Sequence, residues 1–349
     1  MKKIAVIGNL GILGCDALDG QTIKTRIFVE QLQQRYGNDN VVVINTVGGV
    51  TNLVKAPFQS LRALKLASNV IIFPAHNGLR VYAPLLALLK RFYKDKKLHY
   101  VVIGGWLPEF LEDRKCLLKA LKSFESIYVE TQSMKDSLYN KGLFNVDVVP
   151  NCKKLQILSA NDINTHFCEP YRLCTFSRVS KQKGIGDAVE VVKKVNENFG
   201  RVVYTLDIYG RVDDDQTDWF NILQASFPEY IKYKGCVEYN KTTNVLKDYF
   251  ALLFPTYYEG EGFAGTIIDA YAAALPVIAS RWKYNSELVE NGVTGFVYTT
   301  KQNRTLEIIL ENMVENHDYI VEMKKQCLNR AYRFLPQNGM KRLFEKIEE

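Results

Sequence analysis

Along this chain, short apolar runs of strand length alternate with longer stretches of helical periodicity, and the alternation runs through twice. In the first half the runs fall at residues 4–7, 41–44, 70–73, 100–103, 126–129 and 146–149, with helical stretches such as 22–36 and 83–92 between them. After a polar stretch near 153–170 they resume at 173–176, 204–209, 231–233, 251–254, 276–279 and 295–298. Strands that are apolar throughout need cover on both faces, which helices on either side of a parallel sheet provide. The expected fold is therefore α/β, with two Rossmann-like parallel-sheet domains facing a cleft. The boundaries read as 1–152 and 153–330, with residues 331–349 a C-terminal helix that can return to the first domain. Open parallel sheets bind ligands beyond the carboxyl ends of their strands, so the loops there are where chemistry is sought.

Composition narrows the possibilities. The 349 residues suffice for two ordinary domains, and an apolar fraction of 47% supports filled cores rather than disorder. The run after Met1-Lys2-Lys3 is too short for a signal-peptide core, and no apolar stretch reaches membrane-spanning length. The expected location is the cytoplasm, with attachment to the inner face of a membrane as an option. Seven cysteines without C-x-x-C spacing fit a reducing compartment, and four scattered histidines offer no zinc motif. The net charge of +7 is lopsided: residues 1–150 hold 20 Lys/Arg against 12 Asp/Glu, the remainder 25 against 26. An anionic membrane, an acidic acceptor, nucleic acid or simply a basic surface would each account for it. Within the stretch 83–97, Lys90, Arg91, Lys94, Lys96 and Lys97 face a single acid, Asp95, at the end of an apolar helical pattern.

Three segments carry candidate chemistry. The first, Gly8 to Gly14, follows the first strand but has G-x-x-G-x-x-G spacing, and the second strand ends in Asn45-Thr46 without the acid that would hold a dinucleotide ribose. NAD binding is thereby disfavoured. The segment runs on to Asp19-Gly20-Gln21-Thr22, where N–H groups at a helix start suit phosphate, and a plain strand-to-helix loop fits equally well. The second segment places Arg178 and Lys183 five apart in a turn that enters a helix. Two such cations suit a diphosphate, although alone they also suit a solvated surface. The third runs from Pro255 to Ala270, where a strand delivers a glycine-rich loop and then a helix of small residues. Glu261 lies in the loop and Asp269 eight positions on. Gly262, Phe263, Ala264 and Gly265 bring main-chain groups to the helix start, and carboxylates flanking such a loop suit the hydroxyls of a nucleotide sugar.

Arg178/Lys183, Glu261…Asp269 and Ala274-Leu275-Pro276-Val277-Ile278, together with Pro150-Asn151 and Gly292-Val293-Thr294-Gly295-Phe296, resemble the family 4 retaining glycosyltransferases of the GT-B fold. The resemblance covers most of the second domain. It implies a first domain on the acceptor side, a second that binds the nucleotide-sugar donor (a UDP- or GDP-sugar co-substrate, with no cofactor) and a front-face reaction. The residues themselves point to a metal-independent one, because Asp213-Asp214-Asp215, after Gly210-Arg211, reads as a solvated loop and no Asp-x-Asp stands where it suggests metal binding. Arg178 and Lys183, with N–H groups near Gly20, would stabilise the leaving diphosphate. Glu261 and the main chain at 262–264 would meet the donor sugar, and Asp269 the ribose. The family has glutamate where Asp269 stands, and many members have a histidine where this chain has Gly104-Gly105. His76, in Pro74-Ala75-His76-Asn77-Gly78, is the histidine best placed to contact acceptor or donor sugar, and a hydrogen-bonded loop residue is the alternative. Trp282-Lys283-Tyr284-Asn285-Ser286-Glu287 resembles a subgroup among bacterial capsule and exopolysaccharide enzymes. The expected partners are a nucleotide sugar, a saccharide or lipid-linked acceptor and an anionic membrane surface, with no nucleic acid. Competing classes are a sugar-nucleotide-binding protein without turnover and a GT-B epimerase or phosphorylase.

Overall fold

A computed structural model describes residues 3–11, 20–48, 53–316 and 319–349. The chain divides into two compact units, one running up to Lys154 and including Phe334–Glu349, the other Leu155–Arg333. Each unit is built on a six-stranded, wholly parallel sheet, so the doubled alternation in the sequence corresponds to two α/β sheets.

In the first unit the strands are β1 (Ile4–Gly8), β2 (Val41–Asn45), β3 (Asn69–Ile72), β4 (Lys97–Val101), β5 (Ser126–Val129) and β6 (Val146–Val148). Their order across the sheet is β2-β1-β3-β4-β5-β6. The chain leaves β1 in one direction to form β2, then returns to lay β3 on its other side, so the connections diverge between β1 and β3. Helix Gly20–Tyr36 packs Phe28 and Leu32 against Ile4, Val6 and Phe73. The C-terminal helix Lys341–Glu348 joins the same cluster through Leu343, Phe344 and Ile347, one face of its turns. Arg342 fixes its start to Asp147 at 2.8 Å, and Glu348 at its end bonds Arg35 and Tyr36.

Two elements differ from the sequence expectation. The helix read at 83–92 runs over His76–Leu89, with Pro84 in its interior. Leu79, Tyr82, Ala83 and Leu86 are buried at helical spacing, and this stripe carries the helix through Pro84 and two turns further towards its N-terminus than the sequence pattern showed. His76 therefore opens a helix rather than sitting in a loop. Strand β4 begins at Lys97, because His99 is fully buried in the sheet rather than exposed at its margin. Its Nε2–H donates to Asn69 Oδ1 at 3.0 Å and its Nδ1 accepts from the Tyr128 hydroxyl at 3.0 Å, a polar chain across three adjacent strands. No described helix is long and apolar enough to cross a membrane.

The second unit contains β7 (Tyr171–Phe176), β8 (Tyr204–Tyr209), β9 (Ile231–Gly235), β10 (Ala251–Phe254), β11 (Val277–Ser280) and β12 (Gly295–Tyr298), in the order β12-β11-β10-β7-β8-β9. Strands β7 to β9 step outward in one direction. The chain then returns to place β10 beside β7 and steps the other way. The divergence here lies between β7 and β10. Helix Ile185–Asn198 buries Ala188, Val191, Val192 and Val195 on one side of this sheet, where they meet Leu206, Ile208 and Leu253.

Burial, with help from Lys97, Lys90 and Lys346, lowers the His99 pKa from 6.5 to about 3. A folded-state pKa below the unfolded one means that the unfolded chain binds the extra proton between those values, so His99 costs stability as pH falls from about 6.5 towards about 3. The variant His99→Gln keeps both hydrogen-bonding roles without titrating. In urea unfolding at a series of pH values, the folding equilibrium of the parent chain is expected to fall relative to the variant by up to about tenfold per pH unit across that window.

Candidate functional site

The carboxyl ends of β7 and β10 deliver the two segments singled out in the second half of the sequence. Beyond β7 the chain passes through Arg178 into a short 3₁₀ turn, Lys181–Lys183, and then Gly184, whose φ of +71° starts helix Ile185–Asn198. A Cβ at Gly184 would stand 2.2 Å from the Pro255 carbonyl oxygen, so only glycine allows the β7 and β10 loops to touch there. The loops are also laced together: Tyr257 N–H donates to Gln182 O at 2.8 Å, and the Thr266 hydroxyl donates to Phe176 O at 2.7 Å.

This lacing brings Lys183 and Glu261 together. Lys183 Nζ lies 2.6 Å from Glu261 Oε2, and the two residues are only 9% and 8% exposed. The Thr256 hydroxyl donates to the same Oε2 at 2.9 Å. Among the described residues, Glu261 Oε1 accepts no hydrogen bond, and two of the three Nζ protons are likewise not used. The Tyr258 ring lies under both cations, 4.9 Å from Lys183 Nζ and 5.4 Å from the Arg178 guanidinium. Arg178 itself is half exposed and pairs with Asp213 at 3.1 Å. That pair arises because the loops beyond the neighbouring strands β7 and β8 run side by side, Val179 bridging to Val212. At Gly210, φ is +133° and a Cβ would fall 1.7 Å from Ser177 O, which is why this close approach requires glycine.

The glycine-rich loop leads into helix Gly265–Ala272, whose N-cap Ala264 supplies no side-chain cap; the Ile267 N–H donates to Ala264 O at 3.1 Å, which leaves those of Gly265 and Thr266 facing the helix start. Phe263 and Ala264 are buried and Gly262 is half-buried. Asp269 is buried one turn into the helix, and its carboxylate, after burial, helps raise the Tyr239 phenol to about 12. Alongside lies a cavity of about 200 Å³ lined by Phe176, Ser177, Tyr209, Gly210, Cys236 and Thr266. Trp282 and Lys283 hold the loop from beyond β11: the indole N–H donates to Tyr258 O at 2.8 Å, and Lys283 pairs with Glu259 at 3.4 Å.

Residues 160–334, half of the chain, match the family described as glycosyl transferases group 1. The chain belongs to this family. Two curated relatives resemble shorter stretches of the group 1 glycosyltransferase. The GtfA subunit of the UDP-N-acetylglucosamine–peptide N-acetylglucosaminyltransferase of Streptococcus gordonii is 26% identical over 42% of this chain. The amylovoran biosynthesis glycosyltransferase AmsK of Erwinia amylovora is 24% identical over 44%. These matches span only 28% and 38% of the relatives' own lengths. In fold, HepE of Anabaena, solved with UDP and also with UDP-glucose, is similar with TM-scores of 0.73 and 0.70 at 16% and 14% identity, over 99% and 100% of both chains. The two parallel-sheet units are thus those of the GT-B fold.

The structure brings Arg178, Lys183, Glu261, Asp269 and the main chain at 262–265 into one unit of this glycosyltransferase, around the β7–β10 divergence. Gly20 and His76 belong to the other unit. Gly20 opens helix Gly20–Tyr36, exposed, with open space where a Cβ would stand. The segment before it, residues 12–19, with Gly14 and Asp19, lies outside the described residues. His76 is exposed at the start of its helix and stacks on Trp106. Sequence reading missed Thr256, Tyr258 and Asp213. Nothing in the local sequence around Asp213 marks it as a partner of Arg178, because only the β7–β8 pairing brings the two together.

Removing one member of a buried pair strands the other. Lys183→Met should therefore destabilise the second unit by about 3–5 kcal/mol, and Glu261→Gln should restore much of that loss when added to it. Urea unfolding of the two single variants and the double variant measures the coupling. Additive losses would show that the two groups do not interact.

Proposed function

We propose that this group 1 glycosyltransferase is a retaining, family 4 enzyme. It transfers a hexosyl group from a UDP-sugar to a saccharide or lipid-linked saccharide in bacterial surface polysaccharide synthesis, without a metal ion. The observation that carries this reading is the Lys183–Glu261 pair beneath the β7–β10 loops, with Glu261 Oε1 and the remaining Nζ protons available beside Arg178. An anionic leaving group and a hydroxylated ring need these two kinds of partner side by side. UDP is favoured over GDP by HepE, which is solved with UDP and UDP-glucose, and by the UDP-N-acetylglucosamine in the name of the GtfA relative. AmsK, named for amylovoran biosynthesis, supports a polysaccharide product.

In this mechanism the bond between the sugar C1 and the β-phosphate oxygen breaks, and its electron pair stays on UDP. Lys183 and Arg178 stabilise that charge, and the buried setting makes Lys183 the stronger of the two. The acceptor hydroxyl attacks C1 from the face that UDP is leaving, and its proton passes to the departing phosphate oxygen. Glu261 Oε1 accepts from donor-sugar hydroxyls, Asp269 from the ribose, and the main chain at Gly262, Phe263 and Ala264 orients the sugar. The cavity between Phe176, Tyr209 and Cys236 takes the base.

The first unit supports attachment to an anionic membrane. A groove of about 610 Å³ is lined by the apolar Pro84, Ala87 and Leu88 together with the basic Lys90, Arg91, Lys94 and Lys119. Leu88 is 52% exposed, and Phe92, next to Arg91 in the chain, is 80% exposed. The basic end is narrower than the sequence suggested. Lys97 begins β4, Lys96 pairs with Asp95, and Lys90 donates to Ser123 O.

Two tests follow from these assignments. Arg178→Ala should lower kcat/KM by about 10- to 100-fold with little change in Tm, since its partner Asp213 is a surface pair, while Asp269→Ala should weaken UDP binding by calorimetry. Unchanged turnover in the first variant and unchanged UDP affinity in the second would reject this donor site. Liposome co-sedimentation should rise with anionic lipid, fall with salt, and weaken in Arg91→Glu/Lys94→Glu. Equal sedimentation with neutral and anionic vesicles would rule out electrostatic attachment.

A further inference from the structure

The carboxyl edge of the first sheet carries a second cluster with a chemistry of its own. It stands beyond β3 and β4, next to the β1–β3 divergence where an open parallel sheet receives ligands. The His76 ring stacks on the Trp106 indole, with centroids 3.9 Å apart and planes 29° apart. Phe110 sets its ring edge-on to both, at 5.0 and 5.1 Å. The indole is pinned by a 2.8 Å hydrogen bond from its Nε1–H to Ile103 O. His76 is exposed, and Trp106 and Phe110 are half-buried, so the stack faces solvent. Flat rings of this kind suit the C–H face of a pyranose, which packs on aromatic surface while its hydroxyls stay in water.

Two guanidinium groups meet the same rings. Arg114 lies 4.0 Å and Arg80 5.1 Å from the Phe110 centroid, and Arg114 also donates to Phe110 O at 2.6 Å. Among the described residues no carboxylate forms an ion pair with either, and nearby Glu112 is engaged by Lys141. Two like charges gathered on one ring repel each other, and an anion placed between them relieves the repulsion. Guanidinium forks match the paired oxygens of phosphate and carboxylate. Partial desolvation in the ring stack, and then Arg80 and Arg114, hold the His76 pKa below its ordinary value and so disfavour the imidazolium. The ring thus serves as a stacking surface and not as a third cation.

We propose that His76, Trp106 and Phe110, with Arg80 and Arg114, form an acceptor subsite for a saccharide that carries an anionic group, phosphate or carboxylate, close to the ring it presents. The proposal rests on the glycosyltransferase reading above. Stacking supplies affinity for the sugar, and the arginines select against neutral acceptors.

The test is calorimetric titration of the full chain, saturated with UDP, with three probes: a hexose on a short-chain prenyl diphosphate, a disaccharide ending in glucuronate, and neutral cellobiose. At least one anionic probe should bind about tenfold or more tighter than cellobiose. Which one does so tells whether the charge sits on a phosphate linkage or on the sugar itself. Arg80→Ala/Arg114→Ala should abolish that preference while leaving UDP affinity unchanged, and Arg80→Lys/Arg114→Lys should keep part of it. Trp106→Ala should weaken all three probes. Equal affinity for neutral and anionic probes, or a preference that survives loss of both arginines, would overturn the subsite. Failure of UDP itself to bind would instead refute the glycosyltransferase reading, so the two failures are distinguishable.

Discussion

The ion pair between Lys183 and Glu261 is the interaction on which the donor half of this protein turns. Neither group could be buried alone, because an unpaired charge out of water is costly. The pairing holds only if the loops beyond β7 and β10 come within touching distance, which Gly184, Gln182 and Thr266 arrange. Once formed, the pair sets a cation and a carboxylate side by side at a place where water is largely excluded and electrostatic interactions are strong. Positioning of this kind favours charge that develops during a reaction, since the dipoles and charges need not reorganise.

A comparable device sits at the carboxyl edge of the first sheet. Lys24, from helix Gly20–Tyr36, lies 2.6 Å from Glu130 beyond β5, and both are almost wholly buried. Glu130 Oε2 accepts the Gly104 N–H at 3.3 Å, so the pair anchors the loop that carries Trp106. The two units thus use buried Lys–Glu pairs for different ends. In the first, both charges are enclosed and the loop they hold presents aromatic and cationic side chains to solvent. In the second, the pair itself keeps an open oxygen and open protons.

Much of this was legible in the sequence, and the reasons differ from residue to residue. Apolar runs flanked by helical periodicity reveal parallel strands because both faces must be buried, so the strands from Ser126, Tyr204, Ala251 and Gly295 appear as expected. Strand order is a different matter: the divergence between β7 and β10 depends on which strands pair, which no local pattern records. His99 hid its strand position because a histidine satisfied by Asn69 and Tyr128 looks polar in sequence. The helix that starts at His76 was legible only from 83, because Pro84 interrupts its pattern and burial of Leu79 and Tyr82 carries it through. Among the site residues, the spacing of Glu261 and Asp269 pointed to one loop and one helix. That Lys183 pairs with Glu261, that Tyr258 lies under both cations and that Asp213 meets Arg178 are long-range facts, visible only once the loops are side by side. The aromatic and guanidinium cluster around Phe110 was equally hidden, its members spread from His76 to Arg114.

Hydrogen–deuterium exchange with and without UDP tests the central claim most directly, because it reports where the nucleotide acts on the backbone. Protection is expected in peptides covering residues 176–187 and 254–270, the loops joined by Lys183 and Glu261 and the start of helix Gly265–Ala272. UDP binding without protection in either stretch, or no binding of UDP at all, would contradict a nucleotide-sugar site at the junction of β7 and β10.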